Sequence, residues 1–237
     1  MFSSYIFDLY GTLADIWTDE APEAFWDAVA RDSAAFGLRH TGKTFREAYL
    51  RLCADETEQR SAAEPDVPLP FVEPELKNVF CRMLLEQGFN DSDASKLAAM
   101  FRRLSTKRLA AMPHAAETLT ALRARGAKTY LLSNAQSCFT LFELEAIGIS
   151  DLFDGIILSS DAGMKKPYRG LFELLLARYG VDRSTAVMVG NDAVADIGGA
   201  DAAGLKSRYI HTWQSGPRPL SLPESAIEIE DLSDLLL

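Results

Sequence analysis

A chain of 237 residues with 48% hydrophobic side chains is long enough to bury a substantial core, as one large domain or as a medium domain with a smaller insert. Its 24 Lys and Arg stand against 34 Asp and Glu, a formal net charge of -10, which does not suggest the phosphate-neutralising surface of a nucleic-acid binder and opposes anionic membranes. No stretch approaches the roughly 18 consecutive apolar residues of a membrane span, and no basic, apolar and small-residue leader pattern stands at the start, so a cytoplasmic location is the default expectation.

The first element is "YIFDLYGTL": Tyr5, Ile6 and Phe7 favour a strand, which runs straight into Asp8 before Tyr10-Gly11-Thr12 breaks the pattern. From about Asp15 to Lys107 apolar residues recur at three-and-four spacing, predicting helices over Ala21 to Phe36, Thr44 to Gln59, Val72 to Gln87 and Ser92 to Thr106, with no strand among them. The Pro-rich "EPDVPLP" (Glu64 to Pro70) divides these into two pairs, and Gly37 and Gly88-Phe89-Asn90 mark helix ends. After Lys107 helix and strand alternate: helices His114 to Arg125, Cys138 to Ile147, Arg169 to Tyr179 and Ala195 to Ala203, strands Lys128 to Ser133, Gly155 to Ser160, Ala186 to Val189 and Ser207 to His211. Short apolar strands between helices are the grammar of a parallel sheet covered on both faces. The topology expected is therefore a doubly wound α/β core of residues 1–14 and 108–237, with residues 15–107 inserted as a second, helical domain.

Ligands of open α/β sheets bind beyond the carboxyl ends of the strands. The residues there are Asp8, Ser133-Asn134, Ser160-Asp161 with "GMKKP" (Gly163 to Pro167), and Gly190-Asn191-Asp192 with Asp196. A carboxylate such as Asp8 can attack an electrophile and form a covalent intermediate that water resolves. The Ser133 hydroxyl, the ammonium of Lys166 or Lys165, and backbone N–H groups near Leu9 suit the anionic group under attack. Asp192 and Asp196, four residues apart, can share a helix face and with Asp8 would make an oxygen-rich site for Mg²⁺.

In this order the motifs resemble those of the haloacid dehalogenase (HAD) superfamily over nearly the whole chain. "FDLYGTL" resembles its first motif, "YLLSNA" its second, the lysine of "GMKKP" its third and "VMVGNDAVADIGGA" its acidic fourth; an all-helical cap inserted after the first motif is likewise similar. The resemblance implies a Rossmann-like core and a hydrolase, and it prefers Lys166, the lysine immediately before proline. It also implies a second aspartate two residues after the nucleophile in phosphatases, where this chain has Tyr10, a place at which the family's 2-haloacid dehalogenases carry tyrosine. A phenol of ordinary pKa about 10 is a poor acid/base at neutral pH, a role worth about 10²–10⁴ in rate. Asn191 matches an asparagine of the dehalogenases, yet its spacing to Asp196 resembles the metal-binding phosphatases, with Asp192 available to take over from the missing acid.

The acidic cluster carries most weight, because Asp8, Asp192 and Asp196 together without a cation would cost substantial electrostatic energy. The expectation is a Mg²⁺-dependent phosphatase acting on a small phosphorylated metabolite through Asp8, slow or confined to good leaving groups, with Tyr10, Thr12, Ser133, Asn134 and Lys166 around it. The alternatives are a metal-independent 2-haloacid dehalogenase, for which Arg31 and Arg39 lie in the general region of a substrate arginine, and a catalytically reduced binder of a phosphorylated ligand or a protein. Thr12 also reads as a loop brace, Ser133-Asn134 as a helix cap and Lys165 as a solvated charge. The cap is expected to close over Asp8 with hinges near Ala14-Asp15 and Lys107 to Leu109. Trp17, Phe25, Trp26 and Tyr49 read as packing core or pocket lining.

Neither Cys53, Cys81 and Cys138 nor His40, His114 and His211 form a disulfide, zinc or Ser/His pattern, and the glycines around Asn191 lack dinucleotide-site spacing.

Overall fold

The computed structural model describes residues 2–85 and 90–237. Its first strand, β1 (Ser4–Phe7), is buried at every position and is followed by a short strand β2 (Ala14–Thr18). Four helices come next: α1 (Glu23–Ser33), α2 (Gly42–Ala63), α3 (Leu76–Leu84) and α4 (Asp91–Ser105). The chain then alternates: β3 (Thr106–Ala111), α5 (Ala115–Ala124), β4 (Lys128–Ser133), α6 (Ser137–Ala146), β5 (Gly155–Leu158), α7 (Ser159–Ala162), α8 (Arg169–Tyr179), β6 (Ala186–Gly190), a π-helical turn (Ala193–Gly198), α9 (Gly199–Ala202), β7 (Lys206–Ile210) and β8 (Ala226–Ile229).

Six strands form one parallel sheet in the order β5-β4-β1-β6-β7-β8. Because successive side chains of a strand point to opposite faces, Tyr5 and Phe7 join one apolar layer with α5 and the C-terminal Leu232, while Ile6 joins the other with Leu171, Phe172 and Leu175 of α8. This is the Rossmann-like doubly wound architecture expected from the sequence. The chain reverses direction across the sheet at β1, so β4 lies on one side of it and β6 on the other. That switch point sets the ends of three strands side by side.

Helices α1–α4 stand outside the sheet and enclose an apolar cluster of their own, in which Phe25, Trp26, Tyr49, Phe80 and Phe101 pack ring against ring. Phe25, Trp26 and Tyr49 are thus core, whereas Trp17 is exposed. The cluster continues into Cys138 and Phe139 of α6. A strap before α3 also meets the core: Lys165 N–H donates to Phe71 O (2.9 Å), Glu73 N–H to Gly163 O (3.1 Å), and Phe71 stacks on Tyr168.

Several expectations need correction. The connections to the helical block are not free of strand: β2 and β3 pair antiparallel, from Ala14 opposite Ala111 to Thr18 opposite Thr106. The alternation of buried Ala14 and Ile16 with half-exposed Asp15 and exposed Trp17 carries this signal, but Thr106–Ala111 is a poor strand former on its own, and pairing decides it. The expected hinge residues therefore lie in a hydrogen-bonded ribbon. Strand β8 was not expected, β5 stops before Ser159, and the expected helix Ala195 to Ala203 is a π-helical turn followed by α9. The helix end expected at Gly88-Phe89 lies outside the described residues.

Among the described residues no helix is long and apolar enough to cross a membrane, and the three cysteines are free thiols. His114, at φ 60°, precedes α5 and sets its Nδ1 2.8 and 2.9 Å from the Asp231 carboxylate oxygens. The bond raises His114 above its usual 6.5. Desolvation works to raise Asp231, but the bonds from Ser233 and His114 together outweigh it and hold the carboxyl below 3.8. The contribution of His114 is therefore full below 6.5 and fades as pH rises through its folded pKa, while that of Asp231 is full above 3.8 and is lost on acidification. In an NMR titration His114 is expected to titrate above 6.5 and to return to that value in Asp231→Asn; an unchanged midpoint would show that the pair does not hold in solution.

Candidate active site

The turn after β1 builds the site. Leu9 O accepts the N–H groups of Thr12, Leu13 and Ala14, and the chain folds back at Gly11. Gly11 has φ +87°, and a Cβ there would lie 2.3 Å from the Asn191 side chain, so the turn demands glycine on both counts. Asp8, 7% exposed, is left at the strand end facing a cleft of about 170 Å³, with Tyr10, Asn134, Lys166, Asn191, Asp192, Asp196, Gln214 and Ser215 among its lining.

Lys166 is the centre of the arrangement. Its buried ammonium donates to Asp8 Oδ1, Asp196 Oδ1 and Leu132 O, each at 2.7 Å, which uses all three protons. Asn134 fixes the backbone that carries it, accepting Lys166 N–H at 2.8 Å and donating to Lys166 O at 3.0 Å. Ser133 Oγ donates to Asp8 Oδ1 at 3.2 Å. Among the described residues the other oxygen, Oδ2, meets only the Thr12 hydroxyl at 3.5 Å, and that hydroxyl lies nearer to Asn191 Oδ1, at 3.2 Å. One carboxylate oxygen of Asp8 is thus firmly held and the other is lightly engaged.

Asp196 is buried and approaches closely because Gly190 leaves room: a Cβ on Gly190 would lie 2.3 Å from Asp196 Oδ2. Burial lifts the Asp196 carboxyl to about 7; Lys166 opposes the rise and Asp8 adds to it. Burial alone would lower Lys166, but Asp196 and Asp8 outweigh it and raise the lysine above its ordinary 10.5. Asp192 is exposed at the rim, where its Oδ1 caps the π-helical turn through Val194 and Ala195 N–H, both at 2.8 Å, and its own N–H donates to Asp196 Oδ2. Among the described residues no three His, Cys, Asp or Glu side chains converge as a ring of cation ligands.

The structure therefore gathers Asp8, Thr12, Ser133, Lys166 and Asp196, joins Asn134 to them through Lys166, and sets Asp192 at the edge. Lys165 pairs with Glu73, and Arg31 pairs with Asp32 on the surface. Arg39 is exposed, and neither Arg31 nor Arg39 lines the cleft. Tyr10 lines the cleft, but its hydroxyl is bound to Glu143 and lies 2.8 Å from Thr140 Oγ1. Burial, then the charge of Glu143, pushes that phenol well above the ordinary tyrosine range.

Sequence reasoning missed the segment after β7. Gln214 pairs with both backbone groups of Ile16, Trp213 Nε1 donates to Asp15 at 2.9 Å and Thr212 Oγ1 donates to Gly11 O at 2.9 Å, so this loop clasps the ribbon and the turn after β1 together. "TWQSG" has no periodicity or motif that announces such a role. Glu143 was also missed, although a carboxylate on the buried face of "CFTLFELEA" is a readable anomaly.

A family model for haloacid dehalogenase-like hydrolases matches residues 3–204. The chain is 36% identical over 136 residues to the ribulose-1,5-bisphosphate 5-phosphatase of Halopiger xanaduensis, covering 57% of each chain. It is 29% identical over 161 residues to the phosphoserine phosphatase of Thermus thermophilus, 68% of this chain and 64% of that one. It thus spans about three-fifths of the length of these curated relatives. Solved structures with the same fold include a 2-haloacid dehalogenase from Pseudomonas syringae pv. Tomato, with TM-score 0.60, 25% identity and coverage of 100% and 97% of the two chains. Another is a HAD phosphatase from Thermococcus onnurineus, with TM-score 0.60, 21% identity and coverage of 98% and 95%.

Proposed function

Since the chain belongs to the haloacid dehalogenase-like hydrolases, we propose that it is a phosphatase of a small phosphorylated metabolite in which Asp8 is the nucleophile, Mg²⁺ the cofactor and the helical block of residues 15–107 a cap over the core of residues 1–14 and 108–237. One observation carries the reading: Asp8 lines the cleft with Oδ1 held by Lys166 and Ser133, which leaves Oδ2 as the attacking atom. Attack forms the bond between Oδ2 and phosphorus as the bond from phosphorus to the leaving oxygen breaks. Water then cleaves the aspartyl phosphate, releasing phosphate and restoring Asp8. Lys166 orients the carboxylate, and Ser133 donates beside it.

The cleft lining includes three carboxylates, Asp8, Asp192 and Asp196, of which Asp8 and Asp196 share the Lys166 ammonium. Such a donor set suits a divalent cation, held through Asp8 and Asp196 with Asp192 at the rim. When bound, Mg²⁺ would offset the charge of an incoming phosphate dianion.

With its O–H committed to Glu143, Tyr10 supplies no proton to a leaving oxygen. Acyl and aryl phosphates, whose leaving groups depart as stable anions, are the substrates this site suits best. The same feature favours a second reading, 2-haloacid dehalogenation, because halide leaves without a proton. Retention of a buried, oriented carboxylate argues for an enzyme over a binder. The test is phosphate release from acetyl phosphate, p-nitrophenyl phosphate and sugar phosphates with and without Mg²⁺, beside chloride release from 2-chloropropionate. Metal-dependent phosphate release ranked by leaving group is expected. Metal-independent chloride release with no phosphate release would replace the phosphatase reading by the dehalogenase one, and brisk sugar-phosphate turnover would refute the leaving-group limit.

A further inference from the structure

One face of α6, continued by its N-cap Gln136, carries Gln136, Phe139, Thr140 and Glu143 at i, i+3, i+4 and i+7. Gln136 holds the strap, accepting Leu76 N–H at 2.9 Å and donating to Glu73 and Pro74. Glu143 is buried and its two oxygens are divided: Oε1 accepts from Arg102 Nε of α4 at 2.6 Å, and Oε2 accepts from the Tyr10 phenol at 2.5 Å. The Arg102 guanidinium covers the rings of Tyr10 and Phe139, 5.7 and 5.1 Å from their centroids. An apolar pair would pack this contact between α4 and α6 without desolvating two charges. What the charged pair adds is an acceptor for the phenol of the residue two beyond Asp8.

We propose that Glu143 and Arg102 are positioning residues for Tyr10, tying its O–H to α6 so that the phenol does not compete for Asp8 and only its ring faces the cleft. The inference rests on Asp8 being the nucleophile. Phenols seek acceptors, and the lightly engaged Oδ2 of Asp8 is among those in the cleft that Tyr10 lines. Released from Glu143, the phenol would bond that oxygen and blunt the attack.

The experiment replaces both charges at once, Arg102→Met with Glu143→Met, so that neither is left buried alone. In kcat/KM the pair is expected to cost about tenfold, the size of one hydrogen bond to a charged group. In the Tyr10→Phe background it is expected to cost less than about twofold, since no phenol is left to be released. A merely structural contact would cost the same in both backgrounds. A second readout is independent of turnover: a slowly exchanging, downfield phenolic proton resonance in the unsubstituted protein, absent from Tyr10→Phe and lost in the paired variant. If the paired variant fails to fold, Glu143→Gln keeps the shape and is expected to move that resonance upfield, a neutral acceptor being the weaker one. Equal costs in the two backgrounds, or no such resonance in the unsubstituted protein, overturn the proposal. If the unsubstituted protein releases neither phosphate nor halide, the functional reading fails by itself, and presence or absence of the resonance decides the positioning.

Discussion

Asp8→Asn is expected to reduce turnover by at least about 10³-fold while leaving the protein folded. The amide keeps the shape and an oxygen to accept from Lys166 and Ser133, so the cleft is preserved and the nucleophile alone is lost. The buried ammonium keeps its 2.7 Å bonds to Asp196 and Leu132, so it is not stranded. Residual turnover near the unsubstituted rate in a folded variant would remove Asp8 from the mechanism. The same residue separates the two chemistries. In single turnover in heavy-oxygen water, an aspartyl phosphate opened at phosphorus delivers the label to phosphate and leaves Asp8 unlabelled. An ester formed by displacing halide is opened at the Asp8 carbonyl, and the label enters the side chain. Mass spectrometry of the peptide containing Asp8 reads the difference, and the unlabelled outcome is expected.

The legibility of this site follows from where its parts come from. Asp8, Ser133 and Asn191 each end a buried strand, and an apolar run stopping on a polar residue is visible in a single sequence. Lys166 was found by its place before a proline and by family resemblance. Its three-way bonding was not visible, because that depends on how the loop after α7 lies against β1 and β6. The ribbon escaped notice because Thr106–Ala111 becomes a strand only by pairing with Ala14–Thr18, and β8 because it adds to a sheet edge that must already exist. Asp192 shows the limit from the other side: its spacing to Asp196 suggested a shared ligand face, but an aspartate at a helix start also satisfies backbone N–H groups, and here its Oδ1 does so. Gln214 acts through a side chain that imitates a strand residue beside Ile16, a contact between segments about 200 residues apart that no local pattern encodes.

Lys166→Met is expected to destabilise the fold more than any other single change in the cleft. It leaves Asp8 and Asp196 buried together without their shared cation, and breaking a buried ion pair from one side costs about 3–5 kcal/mol. For a chain of this size that is a drop in Tm of roughly 6–20 °C. The deficit should depend on pH with a definite sign. Asp196 already titrates at about 7, above its ordinary 3.8, so the folded state holds its proton more tightly than the unfolded chain. Its stabilising contribution is full below 3.8 and is lost as pH rises through the folded value. Lys166 is what holds that value down against burial and Asp8, so in the variant the pKa of Asp196 climbs further and the proton does the work of the lysine. The gap in Tm between the two proteins is therefore expected to be narrow near about pH 5 and to widen through about pH 8. Thermal unfolding across that range checks it, and a gap independent of pH would mean that Lys166 stabilises by packing alone. Added Mg²⁺ gives a second check on the same variant: a cation bound by the same carboxylates should recover part of the lost Tm at neutral pH, where Ca²⁺-free and Mg²⁺-free buffer does not. Absence of any recovery would weigh against Asp8 and Asp196 as its ligands.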